Sequence, residues 1–354
     1  MRHLFLSSLL LISSFISLAS AETSAPRVVV SIAPLHSIVA RVMQDVGEPD
    51  LLLSGGASPH AFSLKPSQAR LLQDADMVVY TGPGLERFLE HTLENVSSGV
   101  RVIEAMELAG VTVVARREGG VWEVEDHHDH GHSEKDDHGH AKEHDHDHAK
   151  KHDDHEKHDD HDHDHAKKHD DHEKAGAHAG HEHGSTDPHI WLDPHNAEAI
   201  ALQVAEELSK LDQGRADIYR RNVRAFATEM EALEASLESI LKPAIGRKYV
   251  VFHDGYRYFE DHFGLTPVGA VTLDPESTPG AAQVLEIADL IKARGAVCLF
   301  AEPQFEPRLV RRLAEGSDIR LGVLDPLGAD LTPGPGLYPA LMTGLAKALA
   351  SCLG

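Results

Sequence analysis

Seven histidines lie outside two compositionally biased stretches of the chain: His36, His60, His91, His189, His195, His253 and His262. Three stand where loops or strand ends are expected. His60 follows Gly55-Gly56-Ala57-Ser58-Pro59 after a strand-like run at Leu51, His189 lies in Asp187-Pro188-His189-Ile190-Trp191, and His253 directly follows Tyr249-Val250-Val251-Phe252. Ligands of open parallel sheets gather beyond the carboxyl ends of the strands, which would bring His60 and His253 to one cleft. Asp325, in Leu324-Asp325-Pro326-Leu327-Gly328, ends another strand-like run and offers an oxygen. Three imidazoles with a carboxylate or a water make a tetrahedral site suited to Zn2+, whereas exchanging an imidazole for a carboxylate favours the harder Mn2+. His253 at the third position therefore points to zinc.

The other histidines read as structural. His36 falls at a strand-to-helix junction, His195 in Asp193-Pro194-His195-Asn196 is expected to cap the helix beginning near Asn196, and His91 and His262 read as surface or packing residues. Trp191 is expected to wall the cleft, with Asp254 or Glu302 as candidates to orient a ligand imidazole.

The remaining histidines are concentrated. Residues 126–183 hold 20 of the 28 His with 19 acidic residues and eight Lys, a net of −11 with His neutral, and almost no apolar side chains. Such a segment cannot bury enough surface to offset the entropy of ordering, so a disordered loop is expected. The string HDHDHAKKHDDHEK occurs at 144–157 and again at 161–174, which makes composition matter more than fixed geometry. Its His144, His146, His148, His161, His163 and His165 are candidate auxiliary ligands, making weak, interchangeable sites for zinc, with nickel and copper competing.

The N-terminus sets the compartment. Arg2 and His3 precede a mostly apolar run from Leu4 to Leu18 and the small residues Ala19-Ser20-Ala21, the pattern of a cleaved secretory signal over residues 1–21. The run is too short to span a bilayer comfortably, and no Cys follows it to carry a lipid. In an oxidising compartment the only two cysteines, Cys298 and Cys352, are expected to pair. A net charge of −24 over 354 residues argues against a nucleic-acid partner.

These residues need elements to position them. Strand-like runs at Arg27–Ile32, Leu51–Leu53, Asp76–Tyr80 and Val100–Ile103 alternate with helical stretches at Ser37–Val46, Gln68–Asp74 and Leu85–Glu94. The rhythm returns with Lys248–Phe252, Pro267–Thr272, Ala296–Ala301 and Arg320–Leu324, with a helix at Ala281–Ala293. That alternation predicts two α/β lobes, each with a parallel sheet flanked by helices. Between them Tyr219, Val223, Phe226, Met230, Leu233, Leu237 and Ile240 are spaced 4, 3, 4, 3, 4, 3, which predicts one long amphipathic helix over 215–242, stopped by Pro243. A dimeric coiled-coil seam would use the same spacing; packing along both lobes of a monomer is the expected use. The organisation expected is thus a signal at 1–21, an N-terminal lobe from 22–125 and 184–214 interrupted by the 126–183 loop, the linking helix, and a C-terminal lobe at 243–354.

Taken together, GGASPHAFSLKPSQARLLQDADMVVYTGPGLERFLE, DPHIWLDP, FHDGYRYFEDHFGL, AEPQF and LDPLG, with an acidic His-rich insertion before DPHIWLDP, closely resemble the ZnuA-type zinc-binding proteins of bacterial ATP-binding-cassette importers, the cluster 9 solute-binding proteins. The resemblance spans all of the mature chain except the tract. It implies two lobes joined by a rigid long helix, a zinc site in the cleft between them, a periplasmic location, and delivery of zinc to an inner-membrane permease. It also implies His60, His189 and His253 as ligands and a Cys298–Cys352 disulfide. Some zinc members use a Glu directly before the first histidine; Pro59 stands there in this chain, which leaves Asp325 or a water for the fourth position.

Other functions predict other residues. A manganese or other divalent-metal carrier and a metal-dependent adhesin are alternatives, and a secreted zinc hydrolase would share the three-histidine arrangement, but the chain has no HExxH, and Gly82-Pro83-Gly84 lacks the Lys-Ser/Thr of a nucleotide-binding loop. A binding protein rather than an enzyme is the expectation.

Overall fold

The computed structural model describes residues 24–122, 185–277 and 279–354. The expected signal and the 126–183 tract with its candidate ligands lie outside the described residues.

Two four-stranded parallel sheets form the framework. In the first, β1 (Val28–Val30), β2 (Asp50–Leu51), β3 (Met77–Tyr80) and β4 (Arg101–Glu104) lie in the order β2-β1-β3-β4. The second orders β5 (Lys248–His253), β6 (Thr266–Thr272), β7 (Cys298–Ala301) and β8 (Arg320–Val323) as β6-β5-β7-β8. Both orders reverse direction between the two central strands, which opens a crevice beyond their carboxyl ends. All eight strands fall on the runs expected from their β-branched and aromatic content, shifted by at most two residues at either end.

The helices are α1 (Ala33–Val42), α2 (Pro66–Gln73), α3 (Glu90–Leu93), α4 (Pro194–Leu211), α5 (Ala216–Leu241), α6 (Arg257–Phe263), α7 (Ala281–Arg294), α8 (Arg308–Ala314) and α9 (Leu337–Leu353). Side chains alternate across each sheet, as a period of two demands. Val28, Val30, Met77 and Val79 face a central core, while Val29, Val78 and Tyr80 face a smaller outer cluster with Leu72 and Leu89. Tyr249, Val251, Cys298 and Phe300 likewise face the central core, and Val250, Phe252 and Leu299 face an outer cluster with Ile287 and Leu313. The central core is therefore shared by the inner faces of both sheets.

The long helix runs through that shared core. α5 has 26 residues, about 39 Å at 1.5 Å per residue. Tyr219, Phe226, Met230, Leu233 and Leu237 of its predicted apolar stripe are buried, with Val223 and Ile240 half-buried. Cys298 of β7 and Cys352 of α9 form a disulfide with Cα atoms 6.1 Å apart, closing a loop whose constraint on the unfolded chain stabilises by about 4 kcal/mol. Among the described residues no helix is long and apolar enough to cross a membrane.

The chain before the tract departs from the expected boundary. Trp122 N–H donates to Val268 O (3.1 Å) and Ala270 N–H to Gly120 O (3.0 Å), so residues 120–122 pair antiparallel with β6 of the second sheet rather than the first. An edge strand presents unpaired backbone groups, and this segment satisfies them. Gly269 permits the approach: a Cβ there would collide with Gly120 O.

Candidate metal centre

His253 is the last residue of β5, and Glu302 follows β7, so both flank the crevice where the second sheet reverses its strand order. The Nδ1–H of His253 donates to Glu302 Oε1 at 2.5 Å. His189 enters from the other lobe, just before a 3-10 turn at Ile190–Leu192. Asp187, two residues earlier across Pro188, accepts both the backbone N–H of His189 (3.0 Å) and its Nδ1–H (2.7 Å). The hydroxyl of Tyr258, on α6, donates to Asp187 O at 2.7 Å and fixes the segment from behind. His60 sits in a 3-10 turn at Pro59–Ala61 beyond β2, where Ser58 Oγ accepts its backbone N–H.

The three rings converge. Centroids of His189 and His253 are 5.0 Å apart, with His60 5.5 Å from His189 and 5.7 Å from His253. One ring nitrogen from each lies within 4.8 Å of the others. His253 and His189 are 2 % and 4 % exposed, while His60 is half-buried at the opening. Gly255 keeps the position clear, since a Cβ there would collide with Nε2 of His253 and lie 3.1 Å from Nε2 of His189.

The hydrogen bonds dictate the chemistry. A carboxylate only accepts, so each buried Nδ1 bound to one carries the hydrogen, and each Nε2 is left with its lone pair. Those two Nε2 atoms face each other at 3.1 Å. Two lone pairs at that distance repel unless a cation stands with them. A metal ion held by all three imidazoles would supply that charge. This carboxylate–histidine–metal arrangement fixes tautomer and ring orientation and raises ligand basicity.

Protonation follows the same logic. Burial opposes a charge on His253, but the Glu302 carboxylate beside it, with Asp254 and Asp187, leaves its imidazolium favoured above the usual histidine range. Burial would raise Asp187, yet the charge and hydrogen bonds of His189 hold it below the usual carboxylate range. Burial, with the charges of His189, His253, Arg116 and Arg87, pushes His60 down to about 2, so the ring stays neutral and keeps one nitrogen lone pair available.

The free space is ion-sized at the histidines and wide outside them. Ser58, His60, His189, Trp191, His253 and Glu302 help line a cavity of about 10 Å3, close to one water-sized sphere. A second cavity of about 560 Å3 opens beside His60 and His189, walled by Arg116, Arg117, Glu118 and Ser185. Two segments of its wall are held together where Arg116 N–H donates to Ser185 O (2.8 Å) and Ala115 bridges Thr186.

Asp325 does not join the group. Its Oδ1 accepts from Gln304 Nε2 (2.7 Å), Leu327 N–H (3.1 Å) and Gly328 N–H (3.0 Å), and its Oδ2 from Ala329 N–H (2.6 Å). A carboxylate with four donors builds the turn after β8, and among the described residues the group of side chains that could share an ion here is His60, His189 and His253, without Asp325, one of the two candidates for the fourth position. Asp254, a candidate to orient a ligand, instead pairs with Arg117 (2.9 Å), which also holds Glu260 (2.6 Å). Asp187 went unnoticed in the sequence, although an Asp two residues before a candidate ligand, with Pro between, is a signal of such a brace. The Nε2–H of His36 donates to Pro49 O (2.8 Å), as in a buried structural residue, and Trp191 walls the cavity, its Nε1–H on Pro326 O (2.8 Å). The cap of α4 is Asp193, which accepts from His195 N–H, rather than His195 itself.

Two parallel α/β lobes along one helix, with imidazoles converging between them, define a two-lobed binding protein. Residues 28–352 match the family described as zinc-uptake complex component A, periplasmic (ZnuA), and the chain belongs to that family. It is 44 % identical over 326 residues to the high-affinity zinc uptake system protein ZnuA of Brucella abortus (strain 2308), covering 92 % of this chain and 91 % of the relative. Identity to the protein of the same name from Paracoccus denitrificans (strain Pd 1222) is 43 % over 335 residues, 94 % of each chain. Its fold is similar to a crystal structure of ZnuA with a TM-score of 0.68 at 23 % identity, covering 93 % of this chain and 100 % of that one.

Proposed function

We propose that this protein captures Zn2+ in the periplasm, holds it at His60, His189 and His253 with a water in the fourth position, and delivers it to the inner-membrane permease of an ATP-binding-cassette importer. The observation that carries the reading is the pair of bare Nε2 atoms 3.1 Å apart, each braced from behind by a buried carboxylate. Three imidazoles and water suit zinc's tetrahedral preference, whereas manganese seeks more oxygen ligands. Zinc is cargo here, and no acid or base beside the site is asked to do chemistry on a substrate.

Other parts of the chain take roles consistent with this. Residues 1–21 direct export and are removed. The 126–183 tract gathers zinc weakly, with His144, His146, His148, His161, His163 and His165 among its ligands, and passes it on to the three histidines. The protein works as a monomer whose two lobes, on either side of helix 215–242, both meet the permease.

Chelator-competition titration of zinc and manganese into protein lacking residues 126–183 tests the proposal. One tight zinc site, with manganese much weaker, is expected. Absence of a tight site would make the tract the principal binder and remove the three histidines from this role.

A further inference from the structure

Asp193, His195 and His262 bring an oxygen and two ring nitrogens within 4.8 Å of one another on the outer side of the segment whose other end carries His189. Asp193 Oδ1 lies 3.1 Å from His262 Nδ1 and 4.0 Å from His195 Nδ1. On the far side of the His262 ring, Nε2 meets Glu234 Oε1 at 2.8 Å, the same brace that Glu302 and Asp187 give the cleft histidines. The His195 and His262 rings stand edge to face, centroids 4.8 Å apart.

An imidazolium held between two carboxylates accounts for His262 alone. It leaves His195 unexplained, because this ring, with 68 % of its side chain exposed, comes no closer than 3.9 Å to Glu234 Oε1 or 4.0 Å to Asp193 Oδ1. Those separations are long for hydrogen bonds and near what a shared ion needs. Ligand atoms 2.0–2.1 Å from a tetrahedral zinc lie about 3.3–3.4 Å from each other, and an exposed ring can turn to close the remainder. Glu198, near enough to feel Glu231 and Glu234, adds to the negative field that attracts a cation.

We propose that Asp193, His195 and His262 form a second, shallower site for a borderline divalent transition cation, with Glu234 orienting His262. Its place in the fold gives it a consequence. Asp193 and His195 belong to the start of α4, which packs on α1 and α5; Glu234 is on α5; His262 is on α6, which follows β5 of the second sheet. An ion there ties one lobe to the other outside the cleft. The site is weaker than the cleft because water reaches it and the helix N-terminus of α4 repels positive charge.

Zinc-edge anomalous diffraction from crystals of the full-length protein, at increasing zinc, is the test. Density is expected first in the cleft and then within bonding distance of Asp193, His195 and His262, and the exposed-surface variant His195→Asn should lose the second peak only. Saturated cleft density with nothing at Asp193 would overturn the proposal. In solution, excess zinc should slow amide exchange across α6 in the wild-type chain and not in His195→Asn. Equal slowing in both would also overturn it.

Discussion

The two sheets share a topology and differ in what stands at the reversal of their strand order. In the second, the crevice between β5 and β7 holds His253 and Glu302, with a bare Nε2 turned outward to an ion-sized space. In the first, the crevice between β1 and β3 is filled by the protein itself. Fully buried Glu86 accepts from Ser31 Oγ (2.6 Å) and Thr81 N–H (3.1 Å) at Oε1, and from Gly82 N–H (3.0 Å) at Oε2. Both carboxylates are buried at equivalent places. One saturates its own oxygens with backbone and hydroxyl donors, and the other is spent on orienting an imidazole. A switch point thus becomes a site only where the chain leaves a donor atom pointing out of it.

Breaking the open crevice should have the largest effect. His253→Ala removes a proposed ligand and leaves Glu302 buried without its partner, so zinc affinity at the tight site should fall more than roughly 100-fold, beyond the 10–100-fold typical of losing an outer brace. Competition titration of the tract-deleted chain measures it. A drop of only a few-fold would mean that the three rings do not share one ion.

Glu302→Gln separates the brace from the ligand. The amide keeps the shape but cannot hold the Nδ1 hydrogen as a carboxylate does, and zinc affinity at neutral pH should fall about 10–100-fold. Acidity sharpens the same variant. In the wild-type chain, the His253 imidazolium is favoured chiefly by Glu302 against burial, so protons compete with zinc there and affinity declines as pH falls through that raised range. Removing the carboxylate lowers the His253 pKa, so the proton leaves earlier on the way up in pH. The affinity gap between variant and wild type should therefore narrow on acidification, in titrations repeated across pH 5 to pH 8; a gap that widens would contradict the assignment of the proton.

Much of this was legible in the residues, and the exceptions share a cause. The strands and α5 declare themselves through period-two and 4, 3 apolar spacing, which depends only on which face is buried. His60, His189 and His253 are legible as candidates because they stand in loops or at a strand end and the motifs around them resemble a known family. Asp325 could be set only beside a water as a candidate, because a strand-end carboxylate looks the same in sequence whether it points at a ligand or collects Gln304 and three backbone N–H groups. Pairing of residues 120–122 with β6 was not legible, because chain order carries no information about an edge strand some 150 residues away that needs pairing. The outer cluster escaped notice because His195 and His262 come from helices in different lobes, and only folding sets their rings side by side.

The smallest effect is expected at the filled crevice, and it concerns stability alone. In Glu86→Gln, either orientation of the amide turns its NH2 toward a donor: Gly82 N–H on one side, or Thr81 N–H and Ser31 Oγ on the other. A buried donor facing a donor costs about 1–3 kcal/mol, and for a folded body of this size each kcal/mol corresponds to about 2–4 °C in Tm. Thermal unfolding of the zinc-free chain should show that decrease, while competition titration shows zinc affinity within about twofold of wild type. Burial raises the Glu86 carboxyl against the pull of its hydrogen bonds to Ser31, Gly82 and Thr81, so the deficit should shrink in acid, where the wild-type group gains a proton and itself presents a donor to these neighbours. If zinc affinity fell with stability, the two crevices would be coupled through the shared core, and the first sheet would be part of the binding machinery rather than its rigid counterpart.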